Sequence, residues 1–224
     1  MNSTFFAIWI AILAFDGVLV AWLSWAVTSK KYGKYRIRPT QPNRIPIPRK
    51  HINVALNNLL ALLIFIAYFM YLGEATLYAG WPGTTRFLGE VLGVLMLYDL
   101  TYYFYHRWMH YPKVMKAIHG VHHFVRQPSA NESVYLNPLE QMGALAILIA
   151  SIWLLGPISS TSFLVIFFIY SSVNIIVHSN LIFPHPAFRL FNFWVEKHDI
   201  HHGKIRYNYA SIFPFWDQAF GTAK

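Results

Sequence analysis

Leu88-Gly-Glu-Val-Leu-Gly-Val-Leu-Met-Leu-Tyr-Asp-Leu-Thr-Tyr-Tyr-Phe-Tyr-His-Arg-Trp-Met-His110 runs without a break from an apolar segment into two histidines four residues apart. The part from Leu88 to Tyr105 is at the short end of the roughly 17–25 residues that span a bilayer. At about 100° per residue, Asp99, Tyr102, Tyr103, His106 and His110 share one helix face. A carboxylate well inside a span is costly unless it faces the protein interior or a site. Asp99 is therefore expected to orient a ligand histidine through its N–H or to bind a metal itself. Pairing with Arg107 or a tyrosine is the plainer alternative.

Four other stretches read as spans: Phe5–Val27, Ile52–Leu72, Leu139–Leu155 and Thr161–Val177. The 224 residues are 56% hydrophobic and 12% charged, with mean hydropathy +0.38, too apolar for an ordinary soluble domain. The expected fold is an all-α integral membrane protein. It has about four to five transmembrane or re-entrant helices and a cytosolic helical cap that carries the histidines. Prolines from Arg38 to Pro48 predict an extended linker. It divides an N-terminal helix with a basic tail (1–51) from a membrane catalytic domain (52–224).

The net charge of +9 is unevenly placed. Eight Lys/Arg and no acid lie between Thr28 and His51, and with five spans only Arg86 of the 18 basic residues falls on the far side. That is the positive-inside pattern, with the 28–51 side cytosolic in a bacterial inner membrane or the endoplasmic reticulum. The basic linker is expected to meet anionic headgroups of the bilayer. The arrangement is unlike a nucleic-acid-binding face. The first helix has no basic n-region or small-residue cleavage site, so it is expected to be retained, with its N-terminus outside. With no cysteine in the chain, thiolate-ligated haem, iron–sulfur clusters and CxxC zinc sites are excluded.

Two more clusters follow the HxxxH of His106 and His110: His119, His122 and His123, then His198, His201 and His202, both reading HxxHH. Positions i, i+3 and i+4 share a helix face, so each cluster is expected to aim its imidazoles one way. Neutral imidazole is a ligand for iron, copper, nickel or zinc. Eight such ligands suit two ions, not one. A zinc protease would need a glutamate directly after its first histidine, where Arg107 stands. A bis-histidine haem electron carrier, the non-enzymatic alternative, leaves most of the cluster unexplained.

The ordered motifs resemble those of the membrane fatty acid hydroxylase superfamily, also called the sterol desaturase family. Asp99, Tyr103, His106, Arg107 and His110 are similar to its D-x-x-x-Y-x-x-H-R-x-x-H pattern. The two HxxHH clusters, His178-Ser179-Asn180, and the tail Trp216-Asp217 with Phe220-Gly221-Thr222 complete the resemblance from about residue 90 onward. It implies two iron ions, replaceable by zinc on purification, that activate O2 to hydroxylate an unactivated C–H bond of a membrane lipid. Fatty acyl, sphingoid, sterol and carotenoid substrates are all compatible. A desaturase would use the same ligands. The resemblance adds His178 as a ninth ligand and implies supporting roles for Glu140 and Asn180. Asp99, Glu140 or Asp199 could offset the metal charge. Many members have His-Pro-x-Glu where this chain has Asn137-Pro-Leu-Glu140, so Asn137, water or a neighbour would replace a ligand. His185 is expected to be structural and His51 interfacial. With no reductase module recognisable, the electrons would come from a cytochrome b5-, ferredoxin- or reductase-type partner. The basic face suits either an acidic carrier or the membrane surface.

Overall fold

A computed structural model describes residues 1–39 and 45–224. Five helices among them are long and apolar enough to cross a membrane: α1 (Ser3–Thr28), α2 (Ile47–Tyr71), α3 (Thr84–Met109), α4 (Pro138–Leu155) and α5 (Ser160–Val177). Their starts are set by local chemistry. Asn2 Oδ1 accepts the Phe5 N–H (3.0 Å), Asn137 Oδ1 the Leu139 N–H (3.0 Å), and Ser159 Oγ the Ser162 N–H (2.9 Å), each satisfying a free amide of a first turn. Part of the proline-rich linker lies outside the described residues. Helix α2 already begins at Ile47, with Pro48 in its first turn, where a missing N–H costs nothing.

Helix α3 packs against α4 and α5, while α1 packs on α5 and α2 on α4. Phe5, Trp9, Phe65, Tyr68, Phe163 and Phe167 form the aromatic part of the core. Between helices in lipid, interlocking of this kind replaces the hydrophobic drive of water. Ile10, Val18, Leu59, Leu63, Met70 and Trp153 point outward, as lipid-facing side chains should. The ionisable residues inside spans are satisfied: Asp16 accepts from Ser172 Oγ (2.9 Å), and Glu90 from Tyr78, Arg86, Ser159 and Ser162. Glu90 thereby ties together two short parallel strands, β1 (Leu77–Tyr78) and β2 (Ile158–Ser159), that join the outer loops.

The histidines lie at the opposite end. With 26 residues, α3 is about 39 Å long, well beyond the roughly 30 Å hydrocarbon core, so it carries His106 to the edge of the bilayer or past it. A short helical stretch follows, Pro112–Val114, Met115–His119 and Gly120–His123. Its middle is a π-helical turn, which shifts the facing of residues beyond it. Gly120 is required there, since a Cβ would stand 2.7 Å from the Met115 carbonyl. The cap is closed by α6 (Arg189–Lys204) and α7 (Phe215–Ala219). One of the basic residues expected at the surface is not there: Lys50 is 4% exposed and pairs with buried Glu132 at 3.0 Å.

Candidate metal centre

Nine histidines converge in two groups. His106, His110, His119, His123 and His201 form the first; His122, His178, His198 and His202 form the second. Within each group the available nitrogens lie within 4.8 Å of one another. The expectation that each cluster aims one way needs correction. In both HxxHH motifs the i and i+4 histidines join one group and the i+3 histidine joins the other. His119 and His123 go to the first group and His122 to the second; His198 and His202 go to the second and His201 to the first. A step of three residues turns a helix by about 300° and a step of four by about 400°. The i+3 ring therefore sits on the other side of the i ring from the i+4 ring, and one helix serves both groups.

The Nδ1 atoms are anchored, which leaves Nε2 free. Nδ1–H donates to a carbonyl in His106 (Tyr209, 2.8 Å), His178 (Asn174, 2.7 Å), His201 (Tyr207, 2.7 Å) and, at 3.4 Å, His122 (Tyr135). His119 donates to Glu140 Oε1 at 2.9 Å. With those protons committed, the Nε2 lone pairs of His106 and His119 face each other at 3.1 Å, and those of His122 and His178 at 3.3 Å. Further Nε2–Nε2 approaches are 3.1 Å for His110–His119 and His123–His201, and 2.9 and 3.0 Å for His198 with His178 and His202. Bare lone pairs at this range repel unless a cation lies among them. A proton does not serve: burial holds His110 and His122 down at about 3 and His178 at about 4, and keeps His119, His123, His198, His201 and His202 well below the usual histidine range. Imidazole nitrogens stand about 2.0–2.1 Å from a bound zinc ion, so neighbours at right angles are about 3 Å apart. The donor set fits a metal ion in each group.

Two loops aim these rings. Residues 205–213 present the Tyr207 and Tyr209 carbonyls to the first group. Asp99 holds that loop by accepting from the Ser211, Ile212 and Phe213 N–H groups (2.7, 2.8 and 2.8 Å). Asp217 accepts from the Tyr209 and Ala210 N–H groups and from Thr222 Oγ, and pairs with buried Lys197 at 3.1 Å. The second loop, 129–137, presents Tyr135. Asn53 and Asn57 of α2 bind Leu136, and Lys50 binds Glu132.

The other expected site residues are placed as follows. Glu140 touches the first group through His119, while its Oε2 is buried without a partner. Asp99 contacts no histidine, Arg107 or metal position; its three amide partners place it one step behind His106. Asn180, in the left-handed region at φ 57°, exchanges two hydrogen bonds with the Arg38 backbone (3.0 and 3.1 Å). The Arg38 guanidinium in turn forks onto Asp199, beside His198, at 2.9–3.2 Å. Asn137 caps α4. His185 Nδ1 accepts from the Ala187 N–H (3.2 Å), and His51 is exposed. Lys197, Asp217, Asn53 and Asn57 carried no functional expectation beyond the Trp-Asp tail. Their only signal is the improbability of a buried lysine and of amides in a span.

A narrow cavity lies between the two groups and the spans, bordered by Tyr102, Glu140, Asn174, Val177 and Trp194 and by the edges of four histidines. Its polar and apolar walls meet at the histidines.

The sequence profile of the fatty acid hydroxylase family matches residues 91–222, more than half of the chain. The chain belongs to the fatty acid hydroxylase family. Its match covers α3, the cap, α4 and α5, and thus every histidine of both groups. Methylsterol monooxygenase 1 of Rattus norvegicus is 29% identical over 141 residues, 60% of this chain and 46% of the relative. The Gallus gallus protein of the same name is 27% identical over 206 residues, 84% of this chain and 66% of the relative. Cholesterol 25-hydroxylase-like protein 1, member 2, of Danio rerio is 25% identical over 242 residues, 99% of this chain and 84% of the relative. The chain thus spans between about half and two thirds of the length of the first two. No solved structure matches it significantly.

Proposed function

We propose that this chain is an O2-dependent oxygenase that hydroxylates an unactivated C–H bond of a membrane lipid at two iron ions, one in each histidine group. The observation that carries this reading is the five-plus-four set of buried imidazoles, with anchored Nδ1 atoms and facing Nε2 lone pairs. An all-nitrogen neutral shell can hold two Fe(II) ions, which supply reductive O2 activation when electrons arrive from a partner. The protein's own part is positional. The Tyr207, Tyr209 and Tyr135 carbonyls and Glu140 fix the tautomer and aim of the ligand rings. Trp194, Val177 and Tyr102 narrow the cavity and limit water around the reacting carbon. The unpartnered Glu140 Oε2 is placed to accept a hydrogen bond from a substrate hydroxyl or a water. A site at the edge of the bilayer can take an extended lipid directly from it. The basic residues orient the cap towards the cytosol.

The test is reconstitution with Fe(II) in detergent or nanodiscs, with O2 and reductant, and mass spectrometry of candidate lipids. Because relatives carry sterol names, sterols come first, followed by fatty acyl, sphingoid and carotenoid lipids. A product heavier by one oxygen, labelled from 18O2 and absent in His201→Ala, is expected. A loss of two hydrogens instead would identify a desaturase. Turnover without bound metal, or full activity of His201→Ala, would overturn the reading.

A further inference from the structure

The cap carries cations that metal binding leaves unused. Arg107, Lys204, Arg206 and Lys224 are all exposed and gather around the loop that anchors the first group. Arg107 and Arg206 both act electrostatically on Tyr209. Lys224 Nζ stands 4.8 Å from the centre of the Tyr207 ring, and Lys224 lies close enough to Lys204 to hold its amine below the ordinary range. Residues 100–131 contain no Asp or Glu, and the single acid after Ile200, Asp217, is buried against Lys197. Like charges gathered without counter-ions favour a partner that brings its own negative charge. Beneath them the Tyr209 ring, 6% exposed, lies against three rings of the first group, at centroid distances of 5.8 Å (His106), 5.2 Å (His110) and 5.6 Å (His201).

Building on the iron reading above, we propose that this patch is the docking surface for an acidic one-electron carrier protein, with Tyr209 lying between the docked carrier and the first histidine group. Each encounter oxidises the carrier by one electron and reduces the iron of that group by one, with no atom transferred. The other basic run, around Lys31 and Lys34, has no comparable route to the histidines and suits lipid headgroups. Redox encounters are small and transient, so the signature belongs to association rate and salt dependence.

The experiment compares wild type with Arg206→Glu/Lys224→Glu and with Lys31→Glu/Lys34→Glu, which changes net charge equally. Association of a cytochrome b5 haem domain and of a [2Fe–2S] ferredoxin, both acidic, is followed on zinc-loaded protein in uncharged detergent. Stopped-flow oxidation of the reduced carrier is followed on iron-loaded protein. Association with at least one carrier should fall about tenfold or more at low salt in the first pair only, with the gap closing as salt screens the charges. Metal content equal to wild type establishes an intact cap in the variants. Equal association in all three proteins, an equal fall in both pairs, or binding of neither carrier to wild type would overturn the proposal. So would a first pair that loses only flotation with phosphatidylserine vesicles. Reduction by dithionite needs no docking: if it reduces no iron in wild type, the oxygenase reading fails while the association data still judge the patch.

Discussion

At the residue scale, the account depends on which nitrogen each imidazole offers. Glu140→Ala removes the acceptor of the His119 Nδ1–H, and loss of such a partner weakens metal binding by roughly 10–100-fold. Glu140→Gln keeps an acceptor oxygen and should lose less, a ranking that competition with a chelator will read directly. Protonation gives a second check. Because burial depresses the histidines, to about 3 for His110 and His122 and about 4 for His178, the unfolded chain binds more protons than the folded one below the unfolded value near 6.5. The metal-free protein should therefore be insensitive to pH above about 6.5. It should lose stability steadily as pH falls from there towards 3–4, seen as a falling thermal midpoint in detergent. A midpoint flat between pH 7 and 5 would mean that the imidazoles are not buried together.

At the element scale, the two framing loops are as necessary as the helices. Asp99→Ala strips three buried N–H groups of their acceptor, at about 1–3 kcal/mol for each left unsatisfied. It should loosen the 205–213 loop and cost the first group its metal while sparing the second. Cutting the buried Lys50–Glu132 pair from one side, as in Glu132→Ala, should destabilise by about 3–5 kcal/mol and act on the second group through Tyr135. If either variant keeps wild-type stability and metal content, the loops do not frame the site. The histidines and the spans were readable in the sequence because spacing and apolar length are local properties. The division of each HxxHH between two groups was not, because it depends on what other elements bring to either side of the helix. The aiming groups were hidden for a different reason: Tyr135, Tyr207 and Tyr209 act through backbone carbonyls, which any residue has. Asp99 was recognised as out of place in a span, yet its partners lie 112–114 residues away, beyond any local pattern. Asn180 was noticed for its neighbour His178, whereas its left-handed backbone lets it hold the segment after α1.

At the scale of the whole molecule, five membrane helices place both histidine groups at one end and the strand-tied loops at the other. The chain has no cysteine, so a single introduced cysteine is a unique probe. Lys113→Cys should react with a membrane-impermeant maleimide from the side opposite to Trp81→Cys, and from the same side as Lys31→Cys. Labelling of Lys113→Cys and Trp81→Cys from one side would break the topology. The central claim is that two metal ions occupy two separate groups. It is tested most directly by elemental analysis of wild type, His201→Ala and His122→Ala after iron supplementation. The account predicts about two equivalents per chain in wild type and about one in each variant, lost from the first group in His201→Ala and from the second in His122→Ala. No stoichiometric metal in wild type, or the same content in all three proteins, would contradict it.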